Sequence, residues 1–216
     1  MASSEADAGQ AETEPRPAAV TFVTTEHFTL QGARSSTIAE ATGRATMFLG
    51  AVSGGLVALG LIATAAGVRT AFYAFALILL PTLVFVGLTT FSRVLQSGIE
   101  DFGYAIRIAR LRGYYFQHAP ELAGYLLSVP PAERLRLQGI EGGRWQKFQT
   151  VAAMVGFVTA VLAGSTAGLL AAVVSAHSLI AAIIAGVLAA IAVFAALIRF
   201  QVSTWQRAGA LLIDDE

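Results

Sequence analysis

The sequence predicts an all-α fold, an integral membrane four-helix bundle of two parallel transmembrane hairpins with cytoplasmic helical extensions. Three observations predict it: four uncharged apolar runs, a composition too poor in charge for a water-covered surface, and a one-sided distribution of basic residues. Of the 216 residues, 56% are hydrophobic and 13% charged, and the mean hydropathy is +0.67. Soluble domains usually carry about 25% charged residues, so lipid is the expected solvent for much of this chain.

Residues 1–20 are small, polar and acidic, with Pro15 and Pro17 flanking Arg16. They bury too little apolar area to offset the entropy of ordering and read as a disordered tail. They lack the basic start and apolar run of a secretory signal, so the first span is expected to stay as an anchor. Thr24 and Thr25 offer N-cap hydroxyls for a helix beginning near Glu26 and entering the membrane. On that helix Glu40 and Arg44 stand four apart, the spacing of a local ion pair.

The first hairpin segment, 21–92, holds spans 45–66 and 71–92; the second, 151–198, holds spans 151–173 and 178–198. Each run has 21 to 23 residues and no charged side chain, matching the roughly 20 residues a helix needs to cross about 30 Å of hydrocarbon. Pro81 interrupts the second span as a packing kink. Small residues recur four apart at Gly50 and Gly54, at Gly164 and Gly168, and at Ala182, Gly186 and Ala190, a spacing that lets helix backbones approach within one bundle or between copies of the chain. Ser53, Thr159, Ser165 and Thr166 are candidates for hydrogen bonds across such interfaces. Gly43-Arg44 with Phe48 before the first span is echoed by Gly143-Arg144 with Phe148 before the third, which suggests a duplicated two-span unit.

Of fourteen basic residues, thirteen arginines and Lys147, only Arg69 falls on one side of this arrangement. The positive-inside rule then places both termini, the 93–150 segment and the 199–216 tail in the cytoplasm, and the protein in the plasma membrane. The preference for arginine over lysine, with abundant alanine, suggests a GC-rich bacterial genome.

In the central segment Leu95, Ile99, Phe102, Ile106, Ala109, Gly113 and Phe116 alternate four and three apart, the seam of packed helices. This predicts that the second span continues as a cytoplasmic helix and offers a partner-binding seam. Arg107, Arg110 and Arg112 lie off it, on a solvated face or against anionic lipid headgroups. Residues 119–146, with Pro120, Pro130, Pro131 and Gly139, read as short helices and turns.

Function is bounded by what the sequence lacks. There is no cysteine, hence no disulfide or thiol chemistry. His27, His118 and His177 form no metal-ligand pattern, and no phosphate loop or nucleophile elbow occurs. Glu100 and Asp101 are adjacent and diverge by about 100° on a helix. The spans carry no ionisable residue, which argues against ion-coupled transport. No enzyme activity, cofactor, metal or nucleic-acid partner is expected.

The segment EHFTLQGARSSTIAEATGRATMFL from Glu26 to Leu49, with the run from Phe91 to Tyr115, resembles uncharacterised four-span integral membrane proteins of actinobacteria; the resemblance implies the four-span fold and no particular activity. The Ala-rich helix leading to Gly50 and a tight hairpin is also similar to the two-span SLATT and Pycsar-type membrane effectors, whose oligomers impair membranes. Two functions are thus expected. One is a non-catalytic membrane scaffold or accessory protein that binds a protein partner through its cytoplasmic helices; the other is an oligomeric, pore-forming effector.

Overall fold

The computed structural model describes residues 17–118, 150–175 and 178–214, and every regular element among them is helical. Helix α1 runs Pro17–Ala66, α2 Thr70–His118, α3 Val151–Val174 and α4 Leu179–Asp214. All four are long and apolar enough to cross a membrane. The chain divides into two compact units, one of Met1–Ile38 with Glu100–Gly143 and one of Ala39–Ile99 with Arg144–Glu216.

The helices outrun their apolar stretches. Helix α1 begins at Pro17, where a proline lacking an N–H and fixed near helical φ suits a first turn. The expected start near Glu26 is therefore corrected: Thr25 lies inside the helix and its hydroxyl donates to the Thr21 carbonyl at 2.8 Å. Residues 17–20, assigned to the disordered tail, are helical as well. Likewise α4 continues through Arg199 and Arg207 to Asp214, because charges that end an apolar run do not end a helix. As expected, α2 continues beyond its apolar run, to His118, and Pro81 lies inside it without ending it. The tail 1–16, the 119–149 stretch and the Gly143-Arg144-Phe148 echo lie outside the described residues.

Two tight turns join the helices in pairs. After α1, Gly67 takes φ +69°, the left-handed conformation that glycine adopts without a Cβ penalty and that ends many helices. Arg69 then starts α2 by accepting the Tyr73 N–H at 3.1 Å. Helix α3 is capped by Thr150, whose Oγ accepts the Ala153 N–H at 3.1 Å, and ends at Ser175, whose N–H and hydroxyl both donate to the Ala171 carbonyl.

The core of unit 2 collects Ala45, Phe48 and Val52 from α1, Leu80, Leu83, Phe91 and Val94 from α2, and Ala152, Val155 and Leu162 from α3. Phe48, Phe91, Val155 and Thr159 are almost wholly buried. At this level the helices touch through missing side chains. A Cβ on Gly87 would collide with Thr159 Oγ1 and Phe48, and one on Gly156 would stand 3.1 Å from Phe91. Farther along, α3 and α4 meet backbone to backbone: a Cβ on Gly164 would lie 2.5 Å from the Gly186 carbonyl oxygen, and one on Gly168 2.8 Å from that of Ala182. As numbers rise on α3 they fall on α4, so this pair is antiparallel.

Along the apolar stretches the outside of unit 2 is apolar. Ile78, Phe85, Leu188 and Ile191 are all more than 60% exposed, and no residue of the most apolar window of α4 is buried. The hydroxyls on these helices are satisfied within their own helix: Thr82, Thr159, Ser165 and Thr166 each donate to the carbonyl four residues earlier, at 2.8 to 2.9 Å. The expectation that Thr159, Ser165 and Thr166 bond between helices is corrected by this. A hydroxyl in an apolar setting finds the nearest under-used carbonyl on its own helix.

Candidate functional site

Among the described residues, two places bring chemistry-bearing side chains together: the helix pair of unit 1 and the small-residue faces of unit 2.

In unit 1, α1 between His27 and Arg34 packs antiparallel against α2 between Asp101 and Tyr115. Arg34 Nε donates to Asp101 Oδ1 at 2.7 Å, and Arg34 Nη2 to Oδ2 at 3.4 Å. One guanidinium thus meets both carboxylate oxygens, a geometry that fixes helix register as well as charge. Leu30 and Ile108 are buried, and the Thr37 hydroxyl turns back to the Arg34 carbonyl at 2.8 Å. One turn before Leu30, His27 sets its ring edge-on to Tyr115 at 6.2 Å. Its Nε2 meets the Gln31 side-chain amide at 2.8 Å, while its Nδ1 is buried with no hydrogen-bond partner. Burial first, and then the nearby Arg112 charge, hold the His27 pKa below its ordinary value; both oppose placing a second cation there.

Within unit 1 these contacts fall on Asp101, Ile108, Arg112 and Tyr115 of α2. Asp101 meets Arg34, Ile108 is buried, and Arg112 and Tyr115 face His27. Of the expected seam of Leu95, Ile99, Phe102, Ile106, Ala109, Gly113 and Phe116, Phe102, Ala109, Gly113 and Phe116 each directly follow one of these residues, about 100° round the helix. Leu95 is nonetheless buried in the core of unit 2 with Ile99 packed against it, and Phe102 and Ile106 are half-buried. Phe116 occupies the last turn of α2, and its side chain lies outside the described residues. Arg107 and Arg110 are exposed, and Arg112 is half-buried.

The outer face of α1 in this unit carries apolar side chains. Phe22 is 73% exposed and Phe28 68%, with Val20 and Ile38 also exposed. Sequence reading passed over these residues because they follow no simple period. It also gave His27 no role beyond the absence of a metal-ligand pattern, since its neighbours on α2, Arg112 and Tyr115, lie more than eighty residues away.

In unit 2 the glycine pairs separate. Gly164, Gly168 and Gly186 stand where α3 and α4 touch. Gly50 and Gly54 lie on the exposed face of α1, and a Cβ on either would meet nothing within 4 Å. The expected Glu40–Arg44 pair forms, with Arg44 Nε donating to Glu40 Oε1 at 2.8 Å. A buried polar contact that sequence reading missed joins two ends of the second hairpin: Gln201, 2% exposed, donates from Nε2 to the capping Thr150 Oγ1 at 3.3 Å. Among the described residues no cluster of three His, Asp or Glu side chains is arranged to hold a metal ion.

No protein-family model, no curated protein and no solved structure matches this chain. The resemblance to actinobacterial four-span proteins and to small membrane effectors rests on the residues quoted above.

Proposed function

We propose that this chain is a multi-pass membrane scaffold or accessory protein without catalytic activity, whose cytoplasmic helices bind a protein partner. The observation that carries this is the helix pair of unit 1. A bidentate ion pair and the packing of Leu30, His27 and Tyr115 organise its interior, while Phe22 and Phe28, with Val20 and Ile38, are left outward. Large exposed aromatics on a built helical surface are characteristic of interaction faces.

In this reading the four apolar helices cross the plasma membrane, with both termini and the central segment in the cytoplasm, as the distribution of arginine favours. The contacts of Gly87 with Thr159 and of Gly156 with Phe91 support an antiparallel α2 and α3, and therefore two hairpins pointing the same way. A site-specific photocrosslinker at position 28 tests partner binding in cells. A discrete protein adduct, absent when the crosslinker replaces buried Leu30, is expected; no adduct from position 22 or 28 in membrane-inserted protein would contradict the proposal.

A second reading, an oligomeric membrane-perturbing effector, draws on the open face at Gly50 and Gly54, whose small residues are not consumed by packing among the described residues. It requires a higher oligomer in detergent that releases ions from liposomes and loses both properties on Gly50→Leu. A monomer or dimer that leaves liposomes sealed contradicts it.

A further inference from the structure

We propose that unit 2 holds one acyl chain of an anionic phospholipid in a groove at the turn end of its helices, with the phosphate met by Arg69. This rests on the membrane reading above. The core is dense where Gly87 and Gly156 let α2 and α3 touch, but the helices part toward the turns. There a groove of about 570 Å³ opens between Val68, Phe72 and Tyr73 on one side and the α3–α4 seam, including Gly168, Ile183 and Val187, on the other. A second cavity of about 280 Å³, lined by Leu56, Leu59 and Phe157, shares Val161 and Ser165 with the first.

The dimensions fit a lipid tail. From Ala172 to Val161, both on the groove wall, α3 advances eleven residues, about 17 Å at 1.5 Å per residue. Half of a hydrocarbon core of about 30 Å is about 15 Å, so the groove runs the depth of one leaflet. Its rim residues Val68 and Ile183 are more than half exposed, which opens it sideways to the surrounding lipid rather than to water. The chemistry of the mouth selects the headgroup. Arg69 directly follows Val68, is exposed, and is engaged by no ion pair among the described residues. Phe72 and Tyr73 lie at the same level, where aromatic rings favour the membrane interface. A lone arginine beside an apolar groove at that depth complements a phosphate with a hydrocarbon tail.

The test is native mass spectrometry of the full chain in mild detergent, titrated with phosphatidylglycerol or phosphatidylcholine. One retained phosphatidylglycerol, bound in preference to phosphatidylcholine, is expected. Arg69→Gln should weaken phosphatidylglycerol about fivefold and leave phosphatidylcholine unchanged, whereas Ile183→Trp, which crowds the groove, should displace both. Equal binding of the two lipids by the unaltered protein, a preference that survives Arg69→Gln, or a dimer in place of lipid adducts would overturn the inference. Alkaline carbonate extraction of the same membranes separates the two levels. Protein released by alkali sinks the membrane reading and the groove with it; protein retained in the membrane but without lipid preference sinks the groove alone.

Discussion

In unit 2 helices α3 and α4 meet glycine against glycine, whereas in unit 1 an arginine and an aspartate join α1 to α2. Gly164 and Gly186 bring two backbones together where the outward faces of the apolar stretches carry exposed Leu188 and Ile191. Lipid tails are as apolar as leucine, so helices immersed in them gain little from burying side chains and associate through close van der Waals contact at small residues. The Arg34–Asp101 pair joins helices whose other faces carry Glu26, Glu100, Arg107 and Arg110. There water competes for every charge, and register is set by a forked ion pair over a short apolar seam. The same two helices, α1 and α2, contribute to both units, so the change in packing chemistry along them follows the change in solvent that the proposed topology assigns.

The comparison breaks most readily at the glycines. Gly164→Ala puts a methyl group 2.5 Å from the Gly186 carbonyl and 2.7 Å from the Ala190 Cβ; neither neighbour is a flexible side-chain end, and overpacking of this kind costs about 1–3 kcal/mol. Thermal unfolding in detergent should show a clear loss. Gly54→Ala, where nothing lies within 4 Å, should leave the same transition within about 0.5 kcal/mol.

A smaller effect is expected in unit 1. The Arg34 and Asp101 side chains retain 37% and 25% exposure, so solvent screens the pair and Asp101→Asn should cost no more than about 1 kcal/mol. A double-mutant cycle with Arg34→Gln isolates the coupling, and near-complete additivity would show the pair to be incidental to register.

The smallest effect is a pH dependence. Because burial and Arg112 lower the folded pKa of His27 below 6.5, the unfolded chain binds a proton first as the pH falls. His27 therefore contributes fully above about 6.5 and loses that contribution as pH drops through its lowered value. Amide hydrogen exchange around Leu30 and Ile108 should accelerate over that interval, and His27→Gln should remove the acceleration.

Much of this architecture was legible because long uncharged apolar runs leave few alternatives to helix. Twenty uncharged apolar residues make a helix whatever packs on them, so the apolar runs emerged within a residue or two of the helix starts and turns at Gly67 and Ser175. The Glu40–Arg44 pair was equally accessible, since the helix alone sets its geometry. The unit 1 seam was not. Arg34, Asp101, His27, Arg112 and Tyr115 carry its contacts, and polar residues leave no mark in a search for apolar periodicity, which lands on Phe102, Ile106 and Gly113. Nor could spacing distinguish Gly164 from Gly50. Both head a Gly-x-x-x-Gly pair, and which one is consumed depends on the neighbouring helix rather than on the motif. The start of α1 was misplaced because Thr24 and Thr25 suit an N-cap, whereas Thr25 lies inside the helix and its hydroxyl donates to the Thr21 carbonyl.

The most direct test of the central claim uses the absence of cysteine from the chain. Single Ser35→Cys, Thr70→Cys and Ser178→Cys variants, all at exposed positions, are treated in intact cells with a membrane-impermeant maleimide. The proposed topology predicts labelling at positions 70 and 178 without permeabilisation, and at position 35 only after it. Equal labelling of positions 35 and 70 in intact cells would contradict a first hairpin that crosses the membrane.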